Sequence, residues 1–356
     1  MSGRYDDLVT SQLTTKETEM AHELEKLEDG TFSVLRANDS PAHWHGLETI
    51  MSADASFDDW RNSPVFGWKI QRSKVRYAID REGTQLEMPE QHVLFRSDNH
   101  KPLSVVSEDY HVVQPLQVLD FFKGFCEKNH LTMDTAGYIR GGVKFWALAR
   151  TGNEFAVGNK DVVKQYVLLA SSCDSSMATT GKHTSLRVVC SNTFHASINN
   201  GESAVKVRHS REFSETEMAI NLGLMDDEFE QMALMAGAMQ ESYLSVPDAV
   251  LWFAELVSGK VGLDVDSAAE VASRSRVFTS LWDSYLHAPG AEFTLWGAFN
   301  AVTHNVDWIK GRSPSTRFDA AQFGTGATLK QKAWDKAVSV IEAARTASEA
   351  VSVASA

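Results

Sequence analysis

The stretch Thr135-Ala136-Gly137-Tyr138-Ile139, Arg140-Gly141-Gly142, Val143-Lys144-Phe145-Trp146-Ala147-Leu148-Ala149 decides how the chain is read. Two runs rich in aliphatic and aromatic side chains flank a Gly-Gly pair. Glycine takes the positive φ angles of a tight hairpin turn at no steric cost, so the pattern predicts an antiparallel hairpin within 132–150. On its N-terminal side, Trp68 and Ile70 alternate with Lys69 and Gln71, and Val75, Tyr77 and Ile79 alternate with Lys74, Arg76 and Ala78. A period of two marks half-buried strand. Gln91–Arg96 and Leu103–Val113 read as further strands. Gln114-Pro115 then opens a helix, with Leu116, Leu119, Phe122 and Cys126 at helical spacing and an end near Lys128–His130. On the C-terminal side, Asp161–Ala170 reads as strand or short helix. Ser185–Val189 and Ser203–His209 read as strands, with a short helix over Ser191–Asn199 between them.

After about residue 212 the periodicity turns helical: Met218–Met239, Pro247–Val257, Ala268–Leu286, Thr294–Lys310 and Thr328–Ala350. Strands first and helices later predict an α+β fold, with a mixed, largely antiparallel sheet in the N-terminal and central part and a C-terminal helical layer packed on it. The expected organisation is a polar N-terminal arm over 1–35, a strand-rich region over 36–211, a helical region over 212–345 and a frayed, small-residue tail over 346–356.

The 356 residues are 43% hydrophobic and 23% charged, the composition of a folded globular chain, which excludes disordered and fibrous classes. Three cysteines, Cys126, Cys173 and Cys190, make a poor disulfide framework and fit a reducing compartment. No basic segment followed by an apolar core opens the chain. Its strongest apolar stretch, Tyr166–Ala170, falls far short of the ~20 residues of a membrane span. A cytoplasmic protein without a membrane partner is expected. The net charge of -13 excludes nucleic-acid binding by bulk electrostatics, so any such site needs a local basic surface. Charge is indeed segregated: residues 137–211 hold ten bases against four acids, whereas Lys260 is the lone base among many acids in 212–270. That polarity also suits self-association of unlike halves into a homo-oligomer.

Candidate sites follow from residue type and spacing. Lys74 with Arg76 and Lys206 with Arg208 stand on the polar side of their strands, and Arg140, Lys144 and Arg187 lie in the same region. Joined in one sheet they would make a positive stripe, with Tyr138, Trp146 and Tyr166 as stacking faces for single-stranded DNA. The plain alternative is a solvated sheet face over core aromatics. Cys173 and Asp174 with His183 are the raw material of nucleophilic catalysis, but no nucleophile signature surrounds the cysteine. His43 and His45 are two apart without further ligands at a metal spacing, and no metal or other cofactor is expected. Gly324-Thr-Gly326-Ala-Thr-Leu-Lys330, with Arg312 and Arg317 upstream, is a secondary phosphate candidate that lacks the phosphate-loop spacing. The tryptophans at 252, 282, 296, 308 and 334 read as core.

Several blocks keep a common order: Trp44-His45-Gly46-Leu47, Tyr110-His-Val-Val113-Gln114, the hairpin elements Thr135-Ala136-Gly137, Gly141-Gly142 and Trp146-Ala147-Leu148-Ala149, then Arg187-Val188-Val189-Cys190, Asn192-Thr193, Arg208-His209-Ser210, Trp296–Thr303 and Phe323–Lys330. In these the chain resembles a phage/plasmid-like family of open function, found on phages, prophages and conjugative plasmids. It departs from the family at Cys173-Asp174-Ser175, where His-Asp-Gly is common. The resemblance implies a mobile-element protein near DNA metabolism or host defence, and no reaction. Three functions are therefore expected in order. The first is a non-catalytic accessory that binds or anneals single-stranded DNA in recombination. The second is a counter-defence or host-takeover factor binding a host protein or nucleotide. The third is an enzyme using Cys173 and His183.

Overall fold

The computed structural model describes residues 25–39, 48–52, 55–158, 161–187, 192–194, 204–207, 226–289, 291–311, 317, 320–321 and 324–354. In chain order its strands and helices are β1 (Val34–Ala37), β2 (Thr49–Met51), α1 (Phe57–Arg61), β3 (Ile70–Ala78), β4 (Gln85–Arg96), β5 (Pro102–Ser107), α2 (Pro115–Asn129), β6 (Thr132–Ile139), β7 (Lys144–Val157), β8 (Asp161–Ser172), β9 (Thr179–Arg187), β10 (Asn192–Phe194) and β11 (Ala204–Val207), then α3 (Asp226–Glu241), α4 (Val246–Ser258), α5 (Val265–Arg274), α6 (Arg276–His287), α7 (Leu295–His304) and α8 (Thr325–Ala354). The fold is α+β, with mixed sheets in the N-terminal and central part and helices after them. Among the described residues, no helix is long and apolar enough to cross a membrane.

The large sheet runs β10-β9-β8-β7-β6-β1-β2, and β11 also pairs with β9. β1 and β2 are parallel, whereas β6 is antiparallel to both β1 and β7. The β6–β7 hairpin turns at Arg140–Gly142, as its glycines predict. Gly142 sits at φ +104°, and a Cβ there would lie 2.6 Å from the Trp68 ring, so both the backbone and the packing require glycine. A second, three-stranded antiparallel sheet has the order β3-β4-β5. Gln114 ties it to α2: the side-chain amide accepts from Ile70 N (2.8 Å) and donates to Ile70 O (3.0 Å), so it continues the strand pairing at the helix start.

The described residues fall into two compact units. One lies within Met1–Gly152, Tyr166–His183 and Ala204–Leu224; the other lies within Asn153–Gln165, Thr184–Ser203 and Met225–Ala356. This division runs through β7, β8 and β9 instead of falling near residue 211. In the second unit, Val157 and Val163 from the strand ends pack into a core with Trp252, Phe253, Trp296, Phe299 and Trp334. The Trp296 indole donates to Asp161 Oδ2 (2.7 Å), fixing α7 to the start of β8. Trp282 and Trp308 are half-buried, so all five tryptophans serve packing to some degree.

Several sequence expectations are corrected. Asn192–Phe194 is a strand pairing with β9, where a helix was expected over 191–199. The single helix expected over 268–286 is broken at Ser275, whose hydroxyl caps α6 by accepting from Phe278 N. After α7 the chain continues as a π turn, Asn305–Ile309. The final helix continues through Ala354, so 346–354 is helical rather than frayed. Residues 25–37, the described end of the N-terminal segment, are docked: Glu25 and Ser33 exchange hydrogen bonds, Ser33 bonds to Tyr138 of β6, and β1 joins the large sheet.

Arg96, the last residue of β4, joins these parts of the first unit. Its side chain is 2% exposed. The guanidinium lies 4.3 Å from the Trp68 ring centre and 4.9 Å from that of Tyr138, and these rings meet edge to face. It pairs with Glu25 and Asp98 and donates to Gly141 O at 3.1 Å. Burial pushes the Glu25 carboxyl up, but the hydrogen bond from Lys101 and the charge of Arg96 outweigh it and hold the group below its ordinary value. Replacing Arg96 with Met keeps most of the bulk but removes the buried charge that faces Glu25 and Asp98, leaving Glu25 to Lys101 and the Tyr138 hydroxyl and Asp98 to solvent. The R96M midpoint of urea unfolding is expected well below that of wild type; an unshifted midpoint would contradict the role given to Arg96.

Candidate nucleic-acid interface

β3 and β4 form a ribbon that leaves the body of the protein. Pairing runs from Ile70↔Arg96 to Ala78↔Gln85, with a register shift between Lys74 and Arg76. Near the base, Ile70, Leu94 and Arg96 are buried; from Arg76 to Ala78 and from Gln85 to Glu90 every residue is exposed. Alternation puts unlike chemistry on the two faces. On one, Lys74 Nζ meets Glu87 Oε2 and Arg76 Nη2 meets Glu87 Oε1, each at 2.9 Å. The Lys74 hydrogen bond, then that of Arg76, holds the Glu87 carboxyl below its ordinary value. On the other face, Tyr77 stands opposite Leu86, with Ile79 and Met88 beyond them, and all four are about half exposed. Arg72, nearer the base, donates to Glu108 O at 2.6 Å.

The other predicted residues do not join this ribbon in one stripe. Tyr138 (0% exposed), Trp146 (3%) and Tyr166 (0%) are core residues, which corrects their reading as stacking faces. β6 and the first half of β7 are covered on both sides, so alternation leaves no outer face there. Lys144 is buried and Arg140 is exposed in the hairpin turn. Lys206 is exposed on β11, on the same face as buried Lys182 of β9, in the large sheet rather than beside Lys74 and Arg76. Arg208 and the side chain of Arg187 lie outside the described residues, as do His43, His45 and Arg312.

Cys173 is buried, its sulfur 3.5 Å from the Val143 carbonyl and 3.8 Å from that of Gly142. Burial, with the neighbouring Asp174 charge adding to it, pushes the thiol up to about 12. A thiol turned toward carbonyls and kept protonated is the reverse of an activated nucleophile. Burial also raises Asp174, but hydrogen bonds from Ser176 outweigh this and hold its carboxyl low. His183 is half-buried on β9.

The phosphate candidate is likewise spent on packing. Lys330 is 1% exposed and pairs with Asp307 at 2.9 Å. A Cβ on Gly326 would lie 2.7 Å from Val306 Cγ1 and 2.8 Å from Ala320 O, so this glycine lets the chain close onto the π turn. Gly324 precedes α8, and its carbonyl accepts from Thr328 N. Half-buried Arg317 donates to Lys310 O at 3.1 Å. Among the described residues, no group of three His, Cys, Asp or Glu side chains is placed to hold a metal ion.

A family model described as a domain of unknown function, DUF932, matches residues 102–343, and the chain belongs to that family. The match runs from β5 into α8, so the β3–β4 ribbon precedes it. No curated protein and no solved structure matches the chain.

The environment of Cys173 makes a direct prediction. With iodoacetamide at mildly alkaline pH, site-resolved mass spectrometry should find Cys173 unmodified in the folded protein and fully modified in urea. Rapid modification under native conditions would reinstate it as a nucleophile.

Proposed function

We propose that this chain is a non-catalytic binding protein for single-stranded nucleic acid, and that the β3–β4 ribbon is its contact surface. One observation carries the reading. Within four residues of the edge strand β3 the ribbon presents two exposed cations, Lys74 and Arg76, on one face and a half-exposed aromatic ring, Tyr77, on the other, so a nucleic-acid strand wrapped over that edge would meet both. Backbone phosphates need the first, and unstacked bases need the second. Base–aromatic stacking contributes roughly 1–3 kcal/mol per base and tolerates any sequence. Carboxylates more than about 10 Å from the contact are largely screened at ~0.1 M salt and oppose binding more as salt is lowered. Binding or annealing of single strands in the DNA metabolism of a mobile element is the setting this activity fits.

Fluorescence anisotropy with a labelled oligothymidylate at low salt tests the proposal. Wild type should bind, and its affinity should fall steadily as salt is raised. Lys74→Ala with Arg76→Ala should weaken binding roughly tenfold or more, and Tyr77→Ala should weaken it by about 5- to 100-fold, the range a stacked base implies. Absence of binding by wild type at low salt would end this reading.

A further inference from the structure

We infer that Glu87 is a built-in competitor for the phosphate that the ribbon binds, setting its affinity and its salt dependence; this rests on the ribbon reading above. The carboxylate spans both cations, one oxygen to each, at 2.9 Å. The two non-bridging oxygens of a phosphodiester can meet a lysine and an arginine in the same way. Carboxylate and phosphate therefore claim the same donors, and binding requires one to displace the other. Displacement is feasible because the three side chains are 43–63% exposed, and solvent-exposed ion pairs hold together only weakly. The charge arithmetic then matters. Lys74 and Arg76 supply two positive charges and Glu87 removes one, leaving the cluster at +1. A strand that covers many such ribbons, or holds one with several contacts, can overcome this competition. A small anion offering a single contact gains little. Glu87 thus favours a polyanionic strand over free phosphate.

The experiment compares wild type, Glu87→Gln, Lys74→Ala/Arg76→Ala, and the triple variant in oligothymidylate binding across a salt series. Circular dichroism melts check that each is folded. Glu87→Gln raises the cluster to +2, so it should bind about three- to tenfold more tightly at low salt. Its slope of log affinity against log salt should steepen by about 0.7, the increment per neutralised phosphate on a single strand. The triple variant should bind as weakly as the double variant, because Glu87 acts only through the two cations. Inorganic phosphate should compete with the oligonucleotide measurably for Glu87→Gln and negligibly for wild type. If Glu87→Gln matches wild type in affinity and slope while the double variant is weakened, the ribbon reading stands and Glu87 has no such role. If neither wild type nor Glu87→Gln binds, the ribbon reading itself fails and takes this inference with it.

Discussion

A single guanidinium, that of Arg96, closes the first unit. It lies against the rings of Trp68 and Tyr138, is paired with Glu25 and Asp98, and is bonded to the carbonyl of Gly141. Those partners come from the N-terminal segment, the start of β3, the β6–β7 hairpin and the turn after β4. Burying the guanidinium is tolerable because two carboxylates and a carbonyl meet its donors, and Glu25 is held in turn by Lys101 and the Tyr138 hydroxyl. Glycine at 142 is the steric counterpart of the same constraint, since any side chain there would displace the indole on which the guanidinium rests.

This anchoring bears on function through the ribbon. A two-stranded hairpin in water is marginally stable by itself. Here its base is held by the buried side chains of Ile70, Leu94 and Arg96, by the amide of Gln114 and by a third strand, β5. The outer part can then stay paired beyond the bulge while solvated on both faces, and it carries unlike chemistry on each. Of the other candidates, Lys144, Lys330 and Cys173 are internal, whereas Arg140 and Lys206 are exposed away from the ribbon. Lys330 and Asp307 neutralise each other within the helical unit, and Cys173 holds its proton behind two carbonyls.

Much of the fold is legible in the sequence, and the parts that are not share physical causes. The β6–β7 hairpin and α2 announce themselves through Gly141-Gly142 and Gln114-Pro115, where local chemistry and final structure coincide. β1, β2 and β10 are three or four residues long, too short for a clear period, and β1 owes its place to β6, about a hundred residues along the chain. Alternation placed Lys74 and Arg76 on a polar face correctly, yet said nothing about which sheet they join. Their shared partner, Glu87, is recoverable only by fixing the hairpin register across Asp80–Thr84, where the Asp80 carboxylate accepts from Thr84 N. Tyr138 and Trp146 misled for the opposite reason. Strands covered on both sides bury both sets of alternating residues, so an aromatic there carries no information about exposure.

The most direct test of the account is hydrogen–deuterium exchange of the full chain with and without a saturating oligothymidylate at low salt. The prediction is slowed exchange confined to the amides of residues 70–96, strongest around Lys74–Tyr77 and Leu86–Met88. Protection centred elsewhere, for example on β9 and β11, or no protection at all, would contradict the assignment of the ribbon as the binding surface.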